Sequence, residues 1–259
     1  MSENISVKTK KEIMVMREGG KILAGVMNEM EKMVAPEIST WNLDELAEKL
    51  ILKAGGKPSF KGYGDSSGKT FPRTICSSLN NEIVHGIPRK NVKLKEGDII
   101  KVDVGMKYKG MHTDMARTFA VGNISVEKQK IINVVRETFY QGVSAMQVGK
   151  KLNCYSKIAQ RYAEKNNFSV IRDLVGHGIG KELHEPPQIL NYFNRNSCNF
   201  KLKAGMTFAL EPMINVGSSE IKLADDGWTF ETKDGKLSGH WENTVLITED
   251  GIEILTETV

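Results

Sequence analysis

Two aspartates stand in a stretch whose pattern otherwise predicts a β-hairpin. The segment "KVDVGMKYKGMHTD" (101–114) places Asp103 between two valines and Asp114 eleven residues later. With a turn at Tyr108-Lys109, the paired residue numbers sum to 217 and Asp103 faces Asp114, at a Cβ separation of about 4.5–5.5 Å. Carboxylates that close repel unless a shared proton, a basic side chain or a metal ion intervenes. Two solvated acids on an exposed sheet face are the alternative.

A second pair of acids follows the same pattern later in the chain. "LKEGDIIKVD" (94–103) and "LKAGMTFALE" (202–211) align without gaps, so Glu211 takes the place of Asp103. Glu242 leads into the apolar strand pattern "ENTVLIT" much as Asp114 leads into "MARTFAV". If the two copies pack face to face, four carboxylates converge, and burying them unpaired would cost many kcal/mol. Two divalent cations would balance the charge, and oxygen ligands suit Mn, Fe, Co or Zn.

The histidines supply a different ligand type. His177 lies between glycines in "VGHGIG", a backbone suited to close approach and a candidate imidazole ligand. His184 comes seven residues later and would point away from it in an extended chain, so a different role is expected. His85 follows a turn at Asn80-Asn81. His112 shares a face with Asp114 and is either a partner of the site or merely exposed.

Helices and strands that could position these residues occur twice. Thr9 and Glu12 form a capping box before an apolar stripe, which predicts a helix over residues 9–34. We interpret the chain as one α+β domain (1–259) made by duplication of a helix–helix–sheet unit, roughly 9–121 and 125–256, with residues 1–8 expected to be flexible. The other predicted elements are helices at 40–53, from about 125, and at 151–165, and strands at 73–79, 82–85, 98–121 and towards the C-terminus.

The composition is that of a soluble globular protein. The chain is 40% hydrophobic and 26% charged, and its net charge of +4 is mild. Short basic clusters without aromatics favour a solvated face over a specific nucleic-acid site, although contact with RNA on a larger particle stays open. Three widely spaced cysteines argue against a disulfide framework and suit a reducing cytoplasm. The polar N-terminus is no signal peptide, and charges interrupt residues 13–33, so no membrane span is expected.

Five stretches carry a resemblance to a known family: "ICSSLNNEIVHGIP", "VDVGMKYKGMHTDMARTF", "VGHGIGKELHEPPQI", "LKAGMTFALEPM" and "ENTVLIT". They resemble the type I methionine aminopeptidases of the creatinase/aminopeptidase-P superfamily, and the likeness covers nearly the whole chain. It implies the pita-bread fold, with two pseudo-symmetric halves around a curved antiparallel sheet. It also implies removal of N-terminal methionine from nascent proteins and peptides by a cytoplasmic monomer, favoured when the second residue is small, with the ribosome surface as an open partner.

The resemblance also implies roles for individual residues. His85 would contact the scissile amide nitrogen, His184 would hydrogen-bond the substrate carbonyl, and Glu211 would accept the proton of the attacking water. Asp114 and Glu242 would bridge two divalent ions. The full ligand set is Asp103, Asp114, His177, Glu211 and Glu242, the methionine pocket is Tyr63, Phe71, Cys76 and Trp228, and Asn80 and Ser238 match positions that hold Na⁺ or K⁺ in some members.

Several features bear on subtype and on alternatives. The short interval between His184 and Glu211 has no room for the type II insertion, and no Cys/His zinc region precedes the first helix. Residues 64–70 look like an insertion between pocket positions, and Leu183 and Asn243 replace the Phe and His of many members. An Xaa-Pro aminopeptidase or prolidase would use the same ligands but usually carries a large extra N-terminal domain. A non-catalytic binding protein on this fold usually loses ligands, and a metal-sensing or structural protein would have no use for the pocket histidines.

Overall fold

The computed structural model describes residues 5–64, 68–197 and 199–257. Cys198 and the central part of the predicted insertion, residues 65–67, therefore lie outside the described residues, whereas Gly64 and Thr70 at its ends pair as an isolated bridge. Of residues 1–8 the structure describes 5–8, and within them Lys8 is buried and its backbone N–H donates to the Gly205 carbonyl at 2.8 Å.

Helices form where capping residues and apolar stripes coincide. Thr9 caps the first helix through the expected capping box with Glu12, and Ser39 caps the second in the same way with Asn42. Each cap satisfies amide groups that have no partner within the first turn. Within the described part of the chain the α-helices are α1 (Lys10–Met33), α2 (Thr40–Lys53), α3 (Val126–Ser144) and α4 (Asn153–Lys165).

The strands follow each helix pair, as the repeated pattern predicts. The first group is β1 (Lys57–Pro58), β2 (Ile75–Leu79), β3 (Glu82–Val84), β4 (Ile99–Tyr108) and β5 (Met111–Ala120). The second group is β6 (Ser169–Val170), β7 (Val175–Gly178), β8 (Glu185–Leu190), β9 (Thr207–Leu210), β10 (Met213–Asn215), β11 (Ile221–Leu223), β12 (Phe230–Thr232), β13 (Ser238–His240), β14 (Glu242–Thr248) and β15 (Gly251–Ile254).

Strands of both groups form the central antiparallel sheet, in the order β1-β4-β5-β14-β9-β7-β8. β2 adds to β4, and β15 adds to β14. The two halves meet where β5 pairs with β14, with Glu242 across from Ala116. All of the strands that carry the predicted acids are therefore neighbours in one sheet, or lead directly out of it.

The helices cover one face of this sheet. Side chains of α1 and α2 pack with Val102 and Val104 of β4 in one apolar cluster. Side chains of α3 and α4 pack with Phe208 of β9 and Val245 of β14 in another. The valines flanking Asp103 thus face the helices, and Asp103 itself occupies the opposite face.

The β4–β5 hairpin differs from the predicted register. Asp103 lies across from Ala116 and Asp114 across from Gly105, so the paired numbers sum to 219 rather than 217. The turn is at Lys109 and Gly110, whose φ angles are 46° and 90°. A two-residue hairpin turn with positive φ at both positions favours glycine at the second, which makes Tyr108-Lys109 the wrong turn. The shift is even, so the two aspartates stay on one face as expected.

The matching stretches 94–103 and 202–211 also have matching backbones. Gly97 and Gly205 both have φ of 88°. The N–H of Gly97 donates to the Val121 carbonyl and that of Gly205 to the Ile247 carbonyl, both at 2.9 Å. The duplication stays a prediction, and these paired contacts support it.

Candidate metal centre

A cavity of about 120 Å³ opens on the face of the sheet opposite the helices. It brings together every residue predicted to hold a divalent metal or substrate. Phe60 and Leu183 line it as well. The predicted members of the lining are Tyr63, Phe71, Cys76, His85, Asp103, Asp114, His177, His184, Glu211, Trp228 and Glu242.

The first two acids project into the cavity from the hairpin. Asp103 is flanked across the sheet by Cys76 on β2 and Ala116 on β5. Asp114 is fixed through its backbone, because its N–H donates to Thr244 Oγ1 at 2.8 Å and its carbonyl accepts from the same hydroxyl at 2.9 Å. Since Thr244 lies on β14, this contact ties the acids of the two halves together.

The other two acids come from the second half. Glu242 begins β14 and is 2% exposed. Glu211 directly follows β9, and its side chain is 14% exposed. Its oxygens lie 3.8 Å from His177 Nε2 and 3.6 Å from His240 Nε2.

Burial makes the charged form of all four acids unfavourable. It raises the pKa of Asp103, Asp114, Glu211 and Glu242 well above their ordinary values. Charge repulsion from neighbouring carboxyl groups acts in the same direction, chiefly from Glu211 on Asp103 and from Asp114 on Glu242. The arrangement therefore favours either bound protons or bound cations.

His177 is oriented to offer a lone pair. Its Nδ1 donates to the Gly178 carbonyl at 2.8 Å, which leaves Nε2 unprotonated in the neutral ring. Burial lowers the pKa of His177 to about 3, so the ring is neutral at ordinary pH. Donor atoms of Asp114, His177 and Glu242 all lie within 4.8 Å of one another, and all three residues are buried.

These residues fit divalent metal ions. The donor set is carboxylate oxygen with one imidazole nitrogen, which suits borderline and hard divalent ions. Asp103 Oδ1 is buried without a hydrogen-bond partner, as expected of an oxygen that is available as a metal ligand. A histidine that binds a metal through one ring nitrogen usually donates the N–H of its other nitrogen to a carbonyl, a carboxylate or water.

The two remaining pocket histidines flank the acids. His184 Nδ1 lies 2.5 Å from the Tyr63 hydroxyl, and its ring centre is 4.4 Å from that of His177. Burial lowers the pKa of His184. His85 has φ of 60°, an uncommon conformation for a non-glycine residue, and burial lowers its pKa to about 4. Both rings are therefore neutral at ordinary pH.

Aromatic side chains form the apolar wall. Phe71 and Trp228 meet edge to face with centroids 5.4 Å apart. The sequence reasoning missed Phe60, although a signal exists in Gly105, the glycine inside the valine-rich strand. A Cβ at Gly105 would lie 2.8 Å from the Phe60 ring, so this position must be glycine for the ring to pack there.

His240 is a second residue at the site without a predicted role. It is 1% exposed, and neither ring nitrogen has a hydrogen-bond partner. Its backbone is held by Thr118, which accepts from the His240 N–H at 3.0 Å and donates to its carbonyl at 2.7 Å. The sequence carried a signal for this residue, because side chains alternate along an extended chain and His240 is therefore expected on the same face as Glu242.

Four other residues named in the sequence analysis lie outside the cavity lining. His112 is buried rather than exposed, and its Nδ1 lies 2.9 Å from Ser59 Oγ. Asn80 and Ser238 contact each other, because the Ser238 N–H donates to the Asn80 carbonyl at 3.1 Å. Asn243 accepts from Arg117 Nη2 at 2.8 Å, so this departure from the family residue serves a buried guanidinium on the helix side.

A family comparison agrees with this geometry. The model of metallopeptidase family M24 matches residues 15–249. The chain belongs to metallopeptidase family M24. This M24 chain is 48% identical to the methionine aminopeptidase of Clostridium perfringens over 253 residues, which covers 97% of this chain and 98% of the relative. It is 46% identical to methionine aminopeptidase 1 of Bacillus subtilis, with 97% and 99% covered.

Solved structures share the fold over the full length. The methionine aminopeptidase of Thermotoga maritima has a TM-score of 0.93 at 40% identity, covering 98% of this chain and 99% of that one. That of Rickettsia prowazekii has a TM-score of 0.92 at 37% identity, covering 98% and 100%. The expected pita-bread fold is therefore confirmed.

The Pyrococcus furiosus prolidase shares the fold more distantly. Its TM-score is 0.76 at 23% identity, and the match covers 98% of this chain and 66% of that one. At this identity the similarity supports the fold alone. Within the described part of this M24 chain, no helix combines the length and apolar character needed to cross a membrane.

Proposed function

We propose that the chain removes the N-terminal methionine from nascent proteins and peptides by hydrolysing the first peptide bond. The observation that carries this proposal is the convergence of Asp114, His177 and Glu242 donor atoms within 4.8 Å beside an apolar aromatic wall. The full-length relatives named methionine aminopeptidase support the same activity.

Five residues would hold two divalent ions: Asp103, Asp114, His177, Glu211 and Glu242. As the resemblance implies, Asp114 and Glu242 would serve both ions. We infer Co, Mn, Fe or Zn from the donor set. When bound, such ions supply Lewis-acid polarisation of the carbonyl and a hydrolytic water of lowered pKa.

Glu211 would take the proton of the attacking water. Burial and the Asp114 carboxyl raise the pKa of Glu211, which makes its carboxylate a better proton acceptor. His240 Nε2, 3.6 Å from one Glu211 oxygen, would orient that carboxylate.

His184 and His85 would act on the peptide bond itself. If the Tyr63 hydroxyl donates to His184 Nδ1, the ring proton lies on Nε2, which can then donate to the carbonyl oxygen as negative charge develops on it. His85 would contact the amide nitrogen of the same bond. Because both rings are neutral, they add no like charge beside the ions.

The cavity wall would select the methionine side chain. Phe60, Phe71 and Trp228 offer an apolar surface, and Cys76 closes it near Asp103. Sulfur packs favourably against aromatic edges. One methylene in such a pocket is worth about 1–3 kcal/mol, so specificity for methionine would come from fit.

We infer a cytoplasmic monomer that meets its substrates as they leave the ribosome, without specific nucleic-acid recognition. The mild net charge of +4 supports the lack of specific nucleic-acid recognition, and the three cysteines without a disulfide pattern support the cytoplasmic location. The Na⁺ or K⁺ ion that the resemblance implies at Asn80 and Ser238 is not part of this proposed function.

A peptide comparison tests the function. Protein loaded with Mn(II) or Co(II) should cleave Met-Gly-Met and leave a peptide with a bulky first residue and proline second largely intact. The reverse preference would favour an Xaa-Pro aminopeptidase or prolidase. Cleavage of neither peptide by metal-loaded protein would favour a binding protein on this fold.

A further inference from the structure

A lysine is buried beside the proposed metal centre. Lys101 lies on β4, two residues before Asp103 and on the same face, and is 1% exposed. Its Nζ donates to the carbonyl oxygen of Asn80 at 2.8 Å. Lysines are almost never fully buried unless they are paired, so a side chain in this position calls for a specific role.

The Asn80 carbonyl has no capacity left for a cation. Its oxygen accepts from Lys101 and also from the Ser238 N–H at 3.1 Å, and a carbonyl oxygen has two lone pairs. The Asn80 side chain is engaged too, since Oδ1 accepts from the Ile99 N–H at 3.2 Å and Nδ2 donates to Asp98 at 2.9 Å. The residues present therefore do not fit the Na⁺ or K⁺ ion that the resemblance implies.

We propose that the Lys101 side-chain nitrogen stands in the place of a monovalent cation, so that this corner of the site is held without Na⁺ or K⁺. The Lys101 hydrogen bond connects β4 to the turn at Asn80, and the same Asn80 carbonyl also accepts from Ser238 on β13. β4 carries Asp103, and β13 runs through His240 towards Glu242. Lys101 is thus a positioning residue for the carboxylates of both halves.

The surrounding charges are compatible with an amine at this point. Burial lowers the pKa of Lys101 to about 7, although the Glu82 carboxylate acts to raise it. Lys128 lowers this pKa and Asp98 raises it by smaller amounts. An amine keeps N–H donors in both of its protonation states. The hydrogen bond to Asn80 therefore does not depend on which state is present.

The test compares monovalent salts on the Mn(II)-loaded protein. Thermal unfolding, manganese content and kcat/KM for Met-Gly-Met are measured in KCl, NaCl and tetramethylammonium chloride at equal ionic strength. The wild type should give the same values in all three salts. Lys101→Ser should gain a dependence, with a higher Tm and a several-fold higher kcat/KM in KCl or NaCl. Lys107→Ser, on the same strand and face but partly exposed, should behave like the wild type.

Several outcomes would overturn the proposal. One is a wild type that needs Na⁺ or K⁺, and another is a Lys101→Ser protein that is equally destabilised in every salt, as a merely structural residue would be. If that variant does not fold, wild-type crystals grown in RbCl decide, because an anomalous rubidium peak at the Asn80 carbonyl would refute the substitution. The unfolding and scattering readouts do not require peptide cleavage, so they stand even if the proposed function is wrong.

Discussion

Asp103 and Asp114 lie on one face of the β4–β5 hairpin as diagonal neighbours, each across from a small residue. Asp103 faces Ala116 and Asp114 faces Gly105. Diagonal neighbours are about 7–8 Å apart, with a somewhat shorter Cβ separation, against a Cβ separation of about 4.5–5.5 Å for an opposed pair. The offset does not isolate the two carboxyl groups, because each of them shifts the pKa of the other.

Removing one of these acids should remove metal. Asp103→Asn keeps the size of the side chain but replaces an anionic oxygen with an amide, so manganese content measured by elemental analysis should fall. We expect kcat/KM to fall by more than the ~10–100-fold that loss of an outer contact to a metal ligand costs. Asp225→Asn, at an exposed aspartate away from the cavity, is the control. Unchanged metal content in Asp103→Asn would exclude Asp103 as a ligand.

His240 should act through Glu211. His240→Phe removes the ring nitrogen that lies 3.6 Å from the Glu211 carboxylate, and kcat should fall about 10–100-fold with little change in KM. His240→Gln restores a polar group at similar reach and should recover most of that loss. A His240→Gln protein as impaired as His240→Phe would show that the imidazole fills space only.

Metal binding should release protons. Because the folded-state pKa values of the four acids are raised, the metal-free site retains protons and these groups stabilise the metal-free fold at low pH. That stabilisation is lost as pH rises through the raised pKa values, where metal binds better. Calorimetric titration with Mn(II) at pH 7 should give enthalpies that depend on the ionisation enthalpy of the buffer. Buffer-independent enthalpies would mean that the acids are already ionised.

The N-terminal segment should position His184. Lys8 Nζ lies 2.6 Å from Glu185 Oε2, and the two side chains are 4% and 12% exposed. Removing one partner of a buried pair costs about 3–5 kcal/mol, so Lys8→Met should lower the free energy of unfolding and also kcat, because Glu185 adjoins His184. The double variant Lys8→Met/Glu185→Met should recover part of the stability. Lys10→Met, at an exposed lysine, is the control, and equal effects from Lys8→Met and Lys10→Met would contradict this role.

The parts of the structure that local chemistry determines were predictable from sequence. The capping box at Thr9 gave the start of α1, and the apolar stripe gave α2 with its observed bounds. The repeated Leu-Lys-x-Gly gave the equivalence of Asp103 and Glu211. The hairpin turn was one residue off because Lys109 adopts a positive φ, which glycine signals but lysine does not.

The parts that depend on long-range packing were not predictable in this way. Phe60 reaches the cavity only because Gly105 lets its ring approach, and His240 reaches Glu211 only because β13 pairs with β10. Lys101 appeared as an ordinary lysine in the sequence, and its burial follows from the neighbouring turn at Asn80. Each of these contacts joins residues that no local pattern relates.

The most direct measurement is a crystal structure of the protein with Mn(II) and the product methionine. We expect two anomalous manganese peaks among Asp103, Asp114, His177, Glu211 and Glu242, with Asp114 and Glu242 contacting both. We also expect the methionine side chain against Phe71 and Trp228. No manganese among these five residues, or methionine bound elsewhere, would contradict this expectation.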